Sequence, residues 1–151
     1  MSYLMALSIS TGILCGLWME ISAAFGLMAW AGFAGCTSFF AAGGKKEGFK
    51  SSLVANLSGV FWAVVIIQIN QHLQIPHISA ISTALITFAM CIQAKCKWLH
   101  FIPGTFIGSF STFAAGGDWK AVGIALICGA CLGFLCEWTG IKLHQKWGKE
   151  A

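Results

Sequence analysis

Long apolar runs broken by short polar gaps set the pattern of this chain. Six runs reach the roughly 17–25 residues that a helix needs to cross a hydrocarbon core. They are Tyr3 to Met19, about Ala23 to Ala42, Ser51 to Ile69, Ile78 to Ala94, Trp98 to Ala115 and Val122 to Leu143. The runs are continuous rather than alternating, so they predict helices and not the strands of a barrel. The gaps are short, so neighbouring helices should pack nearly antiparallel. The predicted fold is an all-α integral membrane protein with six transmembrane helices in a single domain over residues 1–151.

One stretch occurs twice. Phe33 to Gly44 reads FAGCTSFFAAGG, and Phe106 to Gly117, 73 positions later, reads FIGSFSTFAAGG. Eight of the twelve positions are identical. The chain therefore reads as two halves on one plan, repeat one over about 3–69 and repeat two over about 78–143. Each half holds three predicted spans, an odd number, so the halves should be inverted relative to each other. Inverted repeats are a known plan of transport proteins, with a path near the midplane where the halves meet.

Small residues recur at four-residue spacing. Gly12/Gly16, Ala31/Gly35 and Ala55/Gly59 lie in the first half, and Gly104/Gly108 and Gly129/Gly133 in the second. Such spacing lets backbones approach closely, and contact of this kind drives association in lipid. By this spacing the second and fifth spans align at offset 73, and the third and sixth at offset 74. Pro103 falls early in the fifth span, where it either breaks the helix or occupies its undemanding first turn.

Composition confirms the solvent. The chain is 58% hydrophobic and 9% charged, with a mean hydropathy of +0.80. That excludes an ordinary soluble domain. Charge then gives orientation. All nine basic residues are lysines, and eight of them (Lys45, Lys46, Lys50, Lys95, Lys97, Lys142, Lys146 and Lys149) fall on one side of the predicted topology. Only Lys120 falls on the other. By the positive-inside rule both termini are expected in the cytoplasm. The start of the chain has no basic region and no cleavage motif, so the first span is expected to stay as a helix. The lysines are too few and too scattered to suggest nucleic acid.

Candidate chemistry is sparse. Seven cysteines lie mostly within apolar runs and read as small packing residues. Cys128 and Cys131 share a helix face, but no His or Met cluster joins them, so no metal and no cofactor is expected. Glu20 is placed between the first two spans, and Glu137 a turn or two from the cytoplasmic end of the sixth. No triad, metalloprotease motif, phosphate loop or carboxylate pair is visible, so the chain is not expected to be an enzyme. Asn56, one turn inside the third span beside Ser58, is the most prominent polar residue within a run. Hydroxyls and phenylalanines repeat on the second and fifth spans. Phe33, Thr37, Ser38, Asn56, Phe106, Ser111 and Thr112 are the candidate path-lining residues, with Gly35 and Gly108 marking the helix crossing.

Several stretches resemble one family. They are Trp30 to Phe33 with Gly35 to Thr37, Ser58 to Val60 with Trp62-Ala63, Met90 to Lys95, Pro103 to Gly108, and Gly117 to Lys120. Here the chain is similar to a bacterial inner-membrane family of unknown function, the YcdZ/YahC-like proteins (domain of unknown function 1097). The resemblance covers nearly the whole chain. It implies a bacterial inner-membrane location and no particular substrate.

The reading that follows is a small channel or facilitator for a small neutral or weakly charged solute, working in the bilayer as a homo-oligomer. The alternative is a non-transporting scaffold or subunit that binds a partner through its small-residue faces. A continuous polar path through the protomer would favour the first, and a solid core the second.

Overall fold

The computed structural model describes residues 1–148 as six α-helices and one short 3-10 turn. These are α1 (Tyr3–Phe25), α2 (Ala29–Ala41), α3 (Lys45–His72), α4 (Ile78–Ile92), α5 (Ile102–Ala114) and α6 (Trp119–Trp147), with the 3-10 turn Gln93–Lys95 after α4. Lys149, counted above among the cytoplasmic lysines, lies outside the described residues, as do Glu150 and Ala151. Four segments are long and apolar enough to cross a membrane: α1, α3, α4 with its 3-10 turn, and α6.

The helix bounds differ from those read off the apolar runs. The second and fifth spans were expected at about 20 and 18 residues, but α2 and α5 have 13 each. At 1.5 Å per residue each rises only about 20 Å. Apolar residues fill the turns on either side, which hides the breaks from hydropathy. Gly26, left-handed at φ 63°, ends α1 six residues beyond the expected Met19. Glu20 therefore sits on an exposed face inside α1 rather than between spans. Pro103 occupies the first turn of α5, the less demanding of its two options, and the chain before it from Cys96 to Phe101 is not helical. The third helix begins at Lys45, so Asn56 lies three turns in, not one.

Two long helices make the centre. α3 and α6 pack on each other, and each receives the short helix of the other half, α5 on α3 and α2 on α6. α1 lies outside α6 and α4 outside α3. The buried stripe of α6 (Val122, Ala125, Leu126, Gly129, Ala130, Gly133, Cys136 and Gly140) advances by three and four residues, one face of a helix. Val60, Val122 and Leu126 form a core that joins the halves, with Ile107 and Ala34 packed on it.

The outside is as apolar as the inside. Leu4, Phe25, Phe61, Leu85, Phe88 and Ile124 are all more than half exposed. Such a surface requires a hydrocarbon solvent. Met1 meets the end of α6 at one end of the bundle: the Met1 amino group donates to the Trp147 carbonyl at 3.2 Å, and His144 Nδ1 donates to the Met1 carbonyl at 3.1 Å.

Candidate functional site

The crossings of short on long helices are backbone contacts. A Cβ placed on Gly108 would overlap the Asn56 carbonyl of α3, and one on Gly59 the Thr105 carbonyl of α5. On the other side of the bundle, Gly35 faces the Leu126 carbonyl and Gly129 the Gly32 carbonyl. In all four cases the added carbon would fall well inside 3.0 Å, where something must shift. Gly35 and Gly108 each lie at a close helix crossing. Each crosses a long helix of the opposite half, however, and they do not pack against each other.

Asn56 sits at the α3–α5 crossing and is fully buried. Its amide nitrogen is satisfied when it faces Ser38 Oγ at 2.7 Å and the Gly104 carbonyl at 3.0 Å, so one amide ties α3 to α2 and α5. Thr112 donates to the Gly108 carbonyl one turn back, at 2.9 Å. Ser111 is also fully buried, and its hydroxyl has no hydrogen-bond partner among the described residues. A buried polar atom left unpaired costs about 1–3 kcal/mol, so such atoms call for a reason.

The remaining candidates stand apart. Thr37 is exposed, and Phe106 is 42% exposed. Phe33 is half-buried against a different cluster built on Trp18, Cys36, Leu132 and Cys136. The expected constriction by Phe33 and Phe106 is therefore absent from the centre in this conformation. Ser38 and Asn56 make a sealed junction here, with both side chains fully buried.

A second polar junction escaped the sequence. Gln93, in the 3-10 turn after α4, accepts from Ser58 Oγ at 3.0 Å and from Trp62 Nε1 at 2.8 Å through one oxygen. Its nitrogen donates to Thr105 Oγ1 at 3.1 Å. It pins the end of α4 to α3 and α5, one turn from the Asn56 contact. Gln93 stands beside Lys95 at a charged end, where a polar residue draws no notice.

Glu137 has a structural role that its position alone did not reveal. Gly43, Gly44 and Lys45 take positive φ of 94°, 67° and 56° in succession. This turn presents the Lys45 amide to Glu137 Oε2 at 2.6 Å. The carboxylate supplies an acceptor that the first turn of α3 otherwise lacks, and its charge suits a helix N-terminus. A side chain on Gly44 would collide with it, since a Cβ there lies 2.7 Å from Oε1.

These features define an all-helical, multi-helix membrane protein with a buried polar centre. The chain belongs to the family described as protein of unknown function (DUF1097), whose model matches residues 8–141. It is 44% identical to "Inner membrane protein YcdZ" of Escherichia coli (strain K12), over 100% of this chain and 94% of that protein. It is 43% identical to "Inner membrane protein YcdZ" of Salmonella typhimurium (strain LT2), over 97% and 92%. "Uncharacterized protein YahC" of Escherichia coli (strain K12) is 34% identical, over 96% and 95%. No solved structure matches.

Proposed function

We propose that this chain is a six-pass inner-membrane protein of two inverted repeats that facilitates passage of a small neutral or weakly charged solute. The observation that carries the reading is the buried contact of Ser38 with Asn56 at the α3–α5 crossing, together with a second buried hydroxyl, the unpaired Ser111 of α5. Polar groups inside a membrane bundle are expensive to keep and mark function by default.

Paired contacts support the inverted repeat. Gly108 meets Asn56 as Gly35 meets Leu126; Gly59 meets Thr105 as Gly129 meets Gly32; Gly44 meets Glu137 as Gly117 meets Ile67. In each pair the positions on the short helices and their following turns differ by 73, and those on the long helices by 70. That register replaces the offset of 74 inferred for the third and sixth spans, a slip of about one turn. Within it, Ser38 corresponds to Ser111 and Asn56 to Leu126. The repeat thus offers an apolar residue where Asn56 serves Ser38, in keeping with the unpaired Ser111 hydroxyl.

The sealed junction means that passage requires the halves to move apart from the conformation seen. Flux of small neutral and weak-acid solutes into proteoliposomes tests the reading. Wild-type protein should accelerate at least one solute above protein-free vesicles. Ser38→Ala with Ser111→Ala should change that rate without changing yield or oligomeric state. No acceleration across the panel would remove the proposal.

A second reading, the membrane scaffold, is favoured by the same sealed core. It also has a free face: Gly12 and Gly16 on α1 have nothing within 4 Å. A homo-oligomer through that face is compatible with either function.

Orientation rests on the lysines. Lys50 and Lys97 line one cavity, and Lys45 touches Glu137 on the same half of α6 that leads to its contact with Met1. That end is assigned to the cytoplasm. A cysteine placed at Gly117 should react with an impermeant reagent added outside intact cells, and one at Lys46 should not. The reverse pattern would invert the topology.

A further inference from the structure

At the lysine-rich end a cavity of about 400 Å³ opens between the start of α3 and the loop before α5. Glu47, Lys50, Ser51, Lys97, Trp98 and His100 line it. His100 Nδ1 donates to the Lys97 carbonyl at 2.8 Å, which fixes the loop carrying Lys97. The lining thus holds two ammonium groups, of Lys50 and Lys97, and one carboxylate, of Glu47, one turn before Lys50 on α3. The Ser51 hydroxyl is sealed from solvent and has no hydrogen-bond partner among the described residues. This wall suits an oxyanion with several acceptor oxygens.

A second cavity, also about 400 Å³, lies beside the same stretch of α3, with Phe49, Cys131, Phe134 and Leu135 as its apolar wall and Lys46 at its edge. Lys50 lines both cavities. A free anion would use only the first. A molecule with a phosphate at one end and a hydrocarbon chain at the other would use both. Trp98, 66% exposed, adds an aromatic ring of the kind enriched at membrane–water interfaces.

We infer that Lys50 lies at the centre of a binding site for an anionic phospholipid, with the phosphate in the first cavity against Lys50 and Lys97, and an acyl chain along Phe49, Phe134 and Leu135. Basic pockets between membrane helices on the cytoplasmic side hold such headgroups. The site is separate from the Asn56 junction and does not depend on solute passage.

The test is a thermal midpoint of the purified full chain in neutral detergent, read by loss of the monodisperse peak. Phosphatidylglycerol near saturation should raise the midpoint by about 4 °C or more. Phosphatidylcholine and inorganic phosphate should not. Lys50→Gln with Lys97→Gln should abolish the rise and leave the lipid-free midpoint unchanged, because both residues are exposed. Lys120→Gln, at the other end, should keep the rise. Equal rises with phosphatidylcholine, or a rise surviving in the double variant, would overturn the site. A rise reproduced by inorganic phosphate alone would reassign it to a free anion and remove the lipid.

Discussion

Replacing Gly108 by alanine is expected to prevent assembly of the bundle. The added carbon would overlap the Asn56 carbonyl and lie 3.0 Å from the Val60 amide nitrogen. These are backbone atoms of a long helix, and no rotamer change can move them aside. The strain can be relieved only by separating α5 from α3. That movement would also open the contacts of Gly59 with Thr105 and of Gly104 with Ala55, on the same face. Overpacking of a well-filled core costs about 1–3 kcal/mol where side chains can adjust, and more where they cannot. In lipid, close van der Waals contact is itself a main source of helix association. A loss above about 3 kcal/mol is therefore expected, seen as loss of monodisperse protein or a large fall in thermal midpoint. Gly12→Ala and Gly16→Ala are the controls, since open space surrounds both. Exchange of helical Gly for Ala there should be neutral or stabilising by about 0.5–1 kcal/mol. Wild-type stability in the Gly108→Ala protein would mean that α5 does not cross α3 at this point.

This result would bear on what can be read from sequence in such a chain. The four-residue spacing of small residues marks Gly35, Gly59, Gly108 and Gly129 as thin helix faces, and each lies against the backbone of a neighbouring helix. It did not say what each face meets, because a thin face accepts any backbone. Expecting Gly35 to meet Gly108 was natural from their shared motif, yet each nests on a long helix of the other half. Registers of 70 and 74 both keep small residues aligned between α3 and α6, so spacing alone could not choose between them. The contacts of Gly44 with Glu137 and Gly117 with Ile67 do choose. Hydropathy found all six helices but overstated two. Leu27, Met28, Phe101 and Ile102 are apolar turn or first-turn residues, so the runs continue where the helices do not. The signals that would have trimmed them were local: Gly26 as a left-handed cap and Pro103 as a first-turn residue. Asn56 was legible as an amide deep in an apolar run. Its tie to Ser38 was not, because the two are brought together only by the path of α2 across α3. Gln93 was missed for the opposite reason, since its setting at a charged end looked solvated.

The two halves of the junction give opposite expectations for stability. Asn56→Ala removes the amide that Ser38 and the Gly104 carbonyl share, and leaves the Ser38 hydroxyl buried without its partner. Orphaning a buried group costs about 1–3 kcal/mol, although hydrogen bonds between membrane helices average less than 1. A fall in thermal midpoint of several degrees is expected. Ser111→Ala removes a hydroxyl that is already unpaired. The smaller side chain keeps the Cβ and sheds the desolvation penalty, so the midpoint should hold or rise by up to about 1 kcal/mol in stability. The proposed repeat pairs Ser111 with Ser38, and a hydroxyl kept there for structure alone would be replaced by alanine with nothing lost. If Ser111 serves a passing solute, Ser111→Ala should instead combine unchanged or raised stability with reduced flux in proteoliposomes, the exchange of stability for function seen at working sites. A Ser111→Ala protein that is both more stable and equally fast would assign the hydroxyl to neither packing nor passage. One that is clearly destabilised would mean that Ser111 has a partner, and that the contact geometry of α5 differs from the one described.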